Sequence, residues 1–548
     1  MKVIDAIAEI MKREGVQFLS CFPTTPVIGA CAAAGIRPQI CAQERVGVGV
    51  ADGYSRITNG KPLGVFAMQY GPGAENAFPG IATAYSDSTP ILLLPLGHPR
   101  DQAQVFPLFN SARSYASVTK SVETLNLANQ VAEVMGRAFT LLKMGRPGPV
   151  MVEIPADVAL EEVSESALQY TPVKTTRSAG NPQDIEAAAR ALVQASHPVI
   201  HAGQGVLYAE ATPELVELAE FLQIPVMTTL EGKSAFPEDH PLALGSGSGV
   251  MSRPVYHFLG RADVVFAVGT GLTRHGMATT VPPGNIIIHA TNDERDLNKN
   301  YRTEHPILGD ARLVLRQFID AVKDLRRGKG AAHDGAVAGE IKQVREEWLK
   351  EWMRKLASDE MPLNPYRIMW DFITTVDARQ AIVTHDSGGP RDQLMPFYRA
   401  TAPRSYIGWG KSHALGTGLG LIIGAKLAAP DKFCVNFMGD AAFGMTGLDF
   451  ETAVGCGLPI TTIVLNNASM ALERHETATP PGQSRARHRG NNFTELGRAM
   501  GGYAERVEKP DEIIPAIQRA RRMNEEGRAV LLEFITCDES NYSHRRAF

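Results

Sequence analysis

Apolar residues recur along the chain in two rhythms. Val3 to Met11 repeats at helical spacing, whereas Phe18 to Phe22 is a short continuous apolar run stopped by Pro23-Thr24-Thr25-Pro26. Leu63 to Met68, Ile91 to Leu96 and Pro149 to Ile154 are further runs of the second kind, with helix-period sequence between them. Continuous apolar strands separated by helices predict a parallel sheet covered on both faces. The polar stretch Ser164 to Gly180 interrupts this pattern as a linker, and Asn181-Pro182 supplies the cap and first residue of a new helix. Alternation resumes with Pro198 to Ala202, Ile224 to Met227, Val264 to Val268 and Ile286 to His289. Gly203-Gln204-Gly205 and Gly269-Thr270-Gly271 are tight turns after two of these strands, and only a weak signal for a nucleotide. A second linker, Arg326 to Gly339, and a helical run, Ile341 to Leu356, lead to strands Ala381 to Thr384, Phe433 to Met438, Ile460 to Leu465 and Val530 to Ile535. The pattern thus predicts an α/β protein of three doubly wound parallel-sheet domains, at residues 1–163, 181–325 and 340–548.

Composition narrows the class. A chain of 548 residues is too long for one core. With 44% hydrophobic and 21% charged residues it is ordinary for a globular protein, and a net charge of -4 gives no global field for nucleic acid. Basic character is local: Arg485, Arg487, His488 and Arg489 read as a solvated loop. The last eight residues, Asn541 to Phe548, read as an exposed tail or as a flap over a pocket, the exposed tail being favoured. Cys21, Cys31, Cys41, Cys434, Cys456 and Cys537 show no CxxC spacing, which points to buried thiols in a reducing compartment. The amino terminus reads as an amphipathic helix without the apolar core of a signal sequence, and no apolar run is long enough to span a bilayer. A cytoplasmic location is expected.

The candidate chemistry lies between Gly439 and Asn467. One strand delivers Asp440 to a small-residue turn, Gly439-Asp440-Ala441, and the next delivers Asn466-Asn467. Both turns sit at carboxyl edges of strands, where open α/β sheets bind ligands. An acid, a side-chain amide and a nearby carbonyl make a hard oxygen set suited to Mg²⁺. This stretch resembles the diphosphate-anchoring motif of thiamine diphosphate-dependent enzymes. Gln43-Glu44-Arg45 followed by Ala51-Asp52-Gly53-Tyr54-Ser55-Arg56, then Gly71-Pro72-Gly73-Ala74-Glu75-Asn76, and Gly145-Arg146-Pro147-Gly148-Pro149-Val150 resemble the signatures of its acetolactate synthase-like branch.

The resemblance covers nearly the whole chain and implies a pyrimidine-binding, a central and a diphosphate-binding domain. It implies thiamine diphosphate and Mg²⁺ as cofactors, with Asp440, Asn467 and the carbonyl of Ser469 as metal ligands. It implies that Glu44 holds the aminopyrimidine and moves the proton that activates the cofactor, and that Leu415, in Trp409 to Gly416, wedges between the cofactor's rings. By the same carry-over Phe22, Pro23, Pro72 and Asn76 line the pyrimidine side. Ser387, His413, Gly439, Ala441, Ala442 and Met470 line the diphosphate and thiazolium side. Because the family builds each site across two chains, a homodimer or homotetramer is implied.

Three departures bear on the substrate. Gln43 stands where many relatives have histidine, and Pro107 stands where acetolactate synthases have a pocket glutamine. Leu272-Thr273-Arg274-His275-Gly276 replaces the run that holds FAD, so no tightly bound flavin is expected; Arg274 reads as a surface arginine in preference to a contact for an ADP or CoA moiety. Ala471 replaces a glycine, and beyond it His475, Arg485, His488, Tyr542, His544 and Arg545 are candidates to close over an anionic substrate. The function expected is carbon–carbon bond cleavage or formation on a 2-oxo acid, with no nucleic acid or membrane partner. A 2-hydroxyacyl-CoA lyase or oxalyl-CoA decarboxylase type and a non-catalytic binding protein of this fold are the alternatives.

Overall fold

The computed structural model describes residues 1–164, 168–327, 335–470 and 491–548. It contains three six-stranded sheets flanked by helices, as the apolar runs predict. The first has β1 (Phe18–Cys21), β2 (Arg37–Ile40), β3 (Gly64–Met68), β4 (Ile91–Gly97), β5 (Ser121–Thr124) and β6 (Val150–Pro155), in the order β2-β1-β3-β4-β6-β5. The second has β7 (Pro198–Ala202), β8 (Val226–Thr229), β9 (Ala243–Gly247), β10 (Val264–Val268), β11 (Ile286–Thr291) and β12 (His305–Leu308), in the order β12-β11-β10-β7-β8-β9. The third has β13 (Ala381–His385), β14 (Tyr406–Ile407), β15 (Phe433–Gly439), β16 (Thr461–Asn466), β17 (Tyr503–Val507) and β18 (Val530–Ile535), in the order β14-β13-β15-β16-β18-β17. Every strand pairing within these sheets is parallel.

The six strands that no apolar run announces, β2, β5, β9, β12, β14 and β17, are the two edges of each sheet. An edge strand is paired on one side only and need not be apolar on both faces. No residue of β5 is buried and only one of β2 is, while β14 is two residues long.

The first and third domains meet along two helices, Glu44–Thr58 and Thr417–Ala428. Glycines bring the backbones together: a Cβ at Gly49 would stand 3.1 Å from the Cα of Gly420, and one at Gly53 would collide with the carbonyl of Leu421. A buried ion pair supports the seam. Arg56 bonds Asp52 and reaches Asp87 at 3.2 Å, and its Nη1 donates to the Gly408 carbonyl of the third domain at 3.0 Å.

The C-terminal tail is docked, against the exposed tail favoured from its composition. Tyr366 Oη donates to Asn541 O (2.7 Å), Ser543 Oγ to Met251 O (2.7 Å) and Arg546 N to Gly249 O (2.8 Å). The rings of His544 and Phe548 stack on Tyr256 of the central domain. Aromatic groups in an otherwise basic segment supply the apolar area that charge counting overlooks. Cys21, Cys31, Cys41 and Cys434 are buried thiols; Cys456 and Cys537 are half-buried. No described helix is long and apolar enough to cross a membrane.

Candidate functional site

The carboxyl ends of β13, β15 and β16 open onto one cavity of about 90 Å³. β15 ends at Gly439, and Asp440, 3% exposed, begins the helix Asp440–Thr446; its carboxylate accepts from the Ala441 N–H at 2.7 Å. An acid in that first turn also faces the positive end of the helix. β16 ends in two asparagines with different tasks. Asn466 turns inward, donating to Glu533 (2.7 Å) and accepting from Ala468 N (3.1 Å). Asn467 turns to the cavity and accepts from Ser469 N (3.0 Å), closing a side-chain turn around Ala468, whose φ is 53°. β13 ends at His385 and passes into Asp386, Ser387 and Gly388.

Ser387, Leu415, Gly439, Asp440 and Ala441 line this cavity, as do Ala442, Asn467, Ser469 and Met470. Three residues that carry oxygen groups thus share it: Asp440, Asn467 and Ser469. Among the described residues no three His, Cys, Asp or Glu side chains gather as a metal site, so a cation here would rely on amide and carbonyl oxygens, a set that suits Mg²⁺. Ser469 Oγ is buried without a hydrogen-bond partner among the described residues, as a polar occupant of the cavity requires. His413 is exposed and does not line the cavity.

The pyrimidine-side residues gather elsewhere. Glu44 starts its helix, is 5% exposed, and accepts from Asn76 Nδ2 at 2.7 Å. Pro72 opens the helix Pro72–Ser86, and the bare Cα of Gly73 lets that helix approach: a Cβ there would lie 3.2 Å from Glu44 Oε1. Phe22 packs half-buried against an apolar cluster that includes Val48, Phe66, Met68 and Ala74, and Pro23 is exposed. None of these five residues lines the 90 Å³ cavity.

Sequence reasoning missed Asp386. It is fully buried and accepts from Ser387 N (2.8 Å), Gly416 N (2.9 Å) and Gly418 N (2.9 Å). Burial pushes its carboxyl up to about 6, against the pull of those N–H groups and of Arg45. Asp386 follows β13 as Asp440 follows β15, and that shared position is the signal by which it can be found. Tyr542, 8% exposed, brings the C-terminal tail to the cavity wall. His544 and Arg545 belong to the same docked segment, Arg545 lying over the Tyr542 ring. His475, Arg485 and His488 lie outside the described residues, as does Ala471.

A larger cavity, about 590 Å³, lies at the carboxyl edge of the central sheet, walled by the first domain and by Lys411 of the third. None of the predicted site residues lines it. Its walls hold an Arg146–Asp296 pair (2.8 Å), a Lys411–Glu231 pair (3.5 Å) and His201, which is 3% exposed with both ring nitrogens unpartnered among the described residues. Burial holds His201 down to about 4, so it is neutral at pH 7. Arg274 stays outside, exposed, with its guanidinium over the Tyr301 ring.

The chain matches three family models in this order: thiamine pyrophosphate enzyme, N-terminal TPP binding domain, over residues 1–117; central domain, over 185–318; and C-terminal TPP binding domain, over 386–534. It is 30% identical to the probable acetolactate synthase large subunit of Methanocaldococcus jannaschii, over 96% of this chain and 90% of that one. It is 30% identical to the acetolactate synthase large subunit of Corynebacterium glutamicum, over 89% and 79%. Glyoxylate carboligase of Escherichia coli O157:H7 is 26% identical, over 98% and 94%.

Proposed function

Because the chain belongs to the thiamine pyrophosphate enzyme family, as an enzyme of the acetolactate synthase-like kind, we propose that it acts with Mg²⁺ on an anionic 2-oxo acid, cleaving or forming a carbon–carbon bond. The convergence of Asp440, Asn467, Ser469 and Leu415 on one cavity at a sheet's carboxyl edge carries this reading.

When bound, thiamine diphosphate supplies a thiazolium carbon that adds to a carbonyl and accepts the charge of the broken bond. Asp440, Asn467 and the Ser469 carbonyl would hold Mg²⁺, Ser387, Ala441 and Ala442 would hold the diphosphate, and Leu415 would hold the cofactor's rings in the bent form. Glu44 exchanges a proton with a pyrimidine nitrogen; its burial and its bond from Asn76 fix the carboxylate for that task. That Glu44, Asn76 and Pro72 do not line the Asp440 cavity of their own chain supports a homodimer or homotetramer, in which one chain's Glu44 completes another chain's cavity. Large exposed apolar side chains close in sequence to both halves support it too: Tyr70 two residues before Pro72, and Met445 and Leu448 in and just after the helix Asp440–Thr446. We place the enzyme in the cytoplasm, without a tightly bound flavin; a yellow protein on purification would contradict the latter.

The test is a panel of 2-oxo acids and acyl-CoAs with aldehyde acceptors, in thiamine diphosphate and Mg²⁺, followed by NMR for CO₂ loss and new carbon–carbon bonds. Turnover of a 2-oxo acid is the expected result. Reaction of acyl-CoAs alone would favour the CoA-lyase type, and bound cofactor without C2-proton exchange a non-catalytic protein. Glu44→Gln is expected to lower turnover by about 10²- to 10⁴-fold with the fold retained, and near-normal turnover would sink the mechanism.

A further inference from the structure

Leu415 lines the cavity from a turn held at four backbone groups. Its own carbonyl accepts from Arg45 Nη2, a side chain of the first domain. The next N–H, of Gly416, donates to Asp386 Oδ1 at 2.9 Å, and that of Gly418 donates to Asp386 Oδ2 at 2.9 Å. The Gly416 carbonyl accepts from Thr446 Oγ1 at 3.1 Å, and Gly416 has a φ of 93°, where a Cβ would collide with Thr446. The Arg45 guanidinium and the Asp386 carboxylate attract one another, so two opposite charges close on the turn from different domains.

Holding a fully buried Asp386 and a half-buried Arg45 here is costly. Arg45 Nε is buried with no partner among the described residues, and Asp386 is fully buried. A turn needing only its backbone bonds satisfied could use neutral groups at lower cost. Arg45 also directly follows Glu44 on the same helix, so its grip on Leu415 links the turn to the helix that carries the proposed proton-handling acid.

We propose that Arg45 and Asp386 are positioning residues: together they fix the Leu415 side chain in the cavity and so the bend of the bound cofactor. This rests on the role of Leu415 in the proposed function. A wedge displaced by about 1 Å costs on the order of a hundredfold in rate when reacting groups must align, and Arg45→Met removes one of the two arms without adding bulk.

The experiment uses the full-length protein with thiamine diphosphate and Mg²⁺ and no substrate, and measures the rate at which the C2 proton of the bound cofactor exchanges with deuterium. Wild type, Arg45→Met, Arg45→Lys, Leu415→Ala and the double variant of Arg45→Met with Leu415→Ala are compared, with cofactor affinity and thermal unfolding of the cofactor-free protein beside each. Arg45→Met is expected to slow exchange by about ten- to a hundredfold, with cofactor-free unfolding close to wild type. Arg45→Lys is expected to recover part of the rate, because an ammonium still donates to the Leu415 carbonyl. If Arg45 acts through Leu415, the double variant is no slower than Leu415→Ala. Multiplied losses in the double variant, or wild-type exchange in Arg45→Met, overturn the clamp alone. A wild-type protein that leaves exchange at the rate of the free cofactor overturns the functional reading and the clamp with it. Asp386→Asn is the second arm, and should it fail to fold, the Arg45 and Leu415 cycle decides without it.

Discussion

The cavities at the carboxyl edges of the third and central sheets share one frame and differ in how their polar groups are held. In the third, Asp440 accepts a bond from the N–H of the residue after it, and Asn467 from Ser469 two residues on, with small residues on either side. In the central cavity the charges come from all three domains: Arg146 of the first pairs with Asp296, and Lys411 of the third pairs with Glu231. A parallel sheet's edge therefore supplies the hole, and the turn residues decide the chemistry. The first arrangement is a small cavity of about 90 Å³ whose polar groups are held by their own turns; the second is a set of interdomain contacts around about 590 Å³.

The sharpest way to break this contrast is to remove one carboxylate from each cavity. Asp440→Ala takes away the only acid of the proposed metal set, and a lost metal contact is worth several kcal/mol of charge stabilisation. Turnover is expected to fall by at least about a hundredfold, partly restored by excess Mg²⁺. Glu231→Gln, in the central cavity, is expected to leave turnover within about twofold, because none of the proposed cofactor-holding residues lines that cavity and distant sites without shared partners act independently. Equal losses would mean that the central cavity takes part in the chemistry.

The same contrast explains what was legible in the sequence. The Asp440 and Asn467 ends are local: an apolar run, a turn and the functional residue stand within a few positions of one another. So are Glu44 and Pro72, each at the start of a helix. Asp386 is as local, yet its bonds go to Gly416 and Gly418, about thirty residues on, and only folding joins them. The Arg45 bond to Leu415 spans 370 residues and two domains, beyond any pattern within one element. His413 shows the converse. A motif supplied its name, but the turn that aims Leu415 at the cavity leaves His413 in solvent. The edge strands were missed because a half-exposed strand carries no continuous apolar run, and the docked tail because its aromatic anchors are spread among basic residues.

His201 offers a smaller effect, confined to the central cavity. Its folded value is held down to about 4 from an ordinary 6.5, because burial disfavours the charged ring. Between those values the unfolded chain takes up the proton first, so the folded state loses stability as pH falls from 6.5 toward 4 and keeps it above 6.5. The full loss is about 3 kcal/mol, and the part between pH 7 and 5 about 2 kcal/mol. His201→Gln is expected to reduce the difference between urea-unfolding free energies at pH 7 and pH 5 by about that second amount. An unchanged difference would mean that His201 has an acceptor or water within reach and is not held neutral by burial.

The smallest effect is expected at the tail, which joins the two regions: Tyr542 stands in the wall of the third-sheet cavity, while His544 and Phe548 stack on Tyr256 of the central domain. An aromatic stack is worth about 0.5–1.5 kcal/mol beyond its buried area, and Tyr256 is 39% exposed, which places Tyr256→Ala at the lower end for stability. The hydrogen bonds from Ser543 and Arg546 to Met251 and Gly249 remain in that variant, so the tail loosens without leaving. If docking keeps Tyr542 in the cavity wall, thiamine diphosphate affinity falls by up to about tenfold, equivalent to 1.4 kcal/mol, while unfolding of the cofactor-free protein shifts by about 1 kcal/mol or less. Both are read on one sample, by tryptophan fluorescence during cofactor titration and during urea unfolding. A stability loss with unchanged affinity would make the tail a fastening of the central domain alone and leave the two cavities independent. Reduced affinity with near-normal stability would make the tail the physical link by which the central domain acts on the cofactor's pocket.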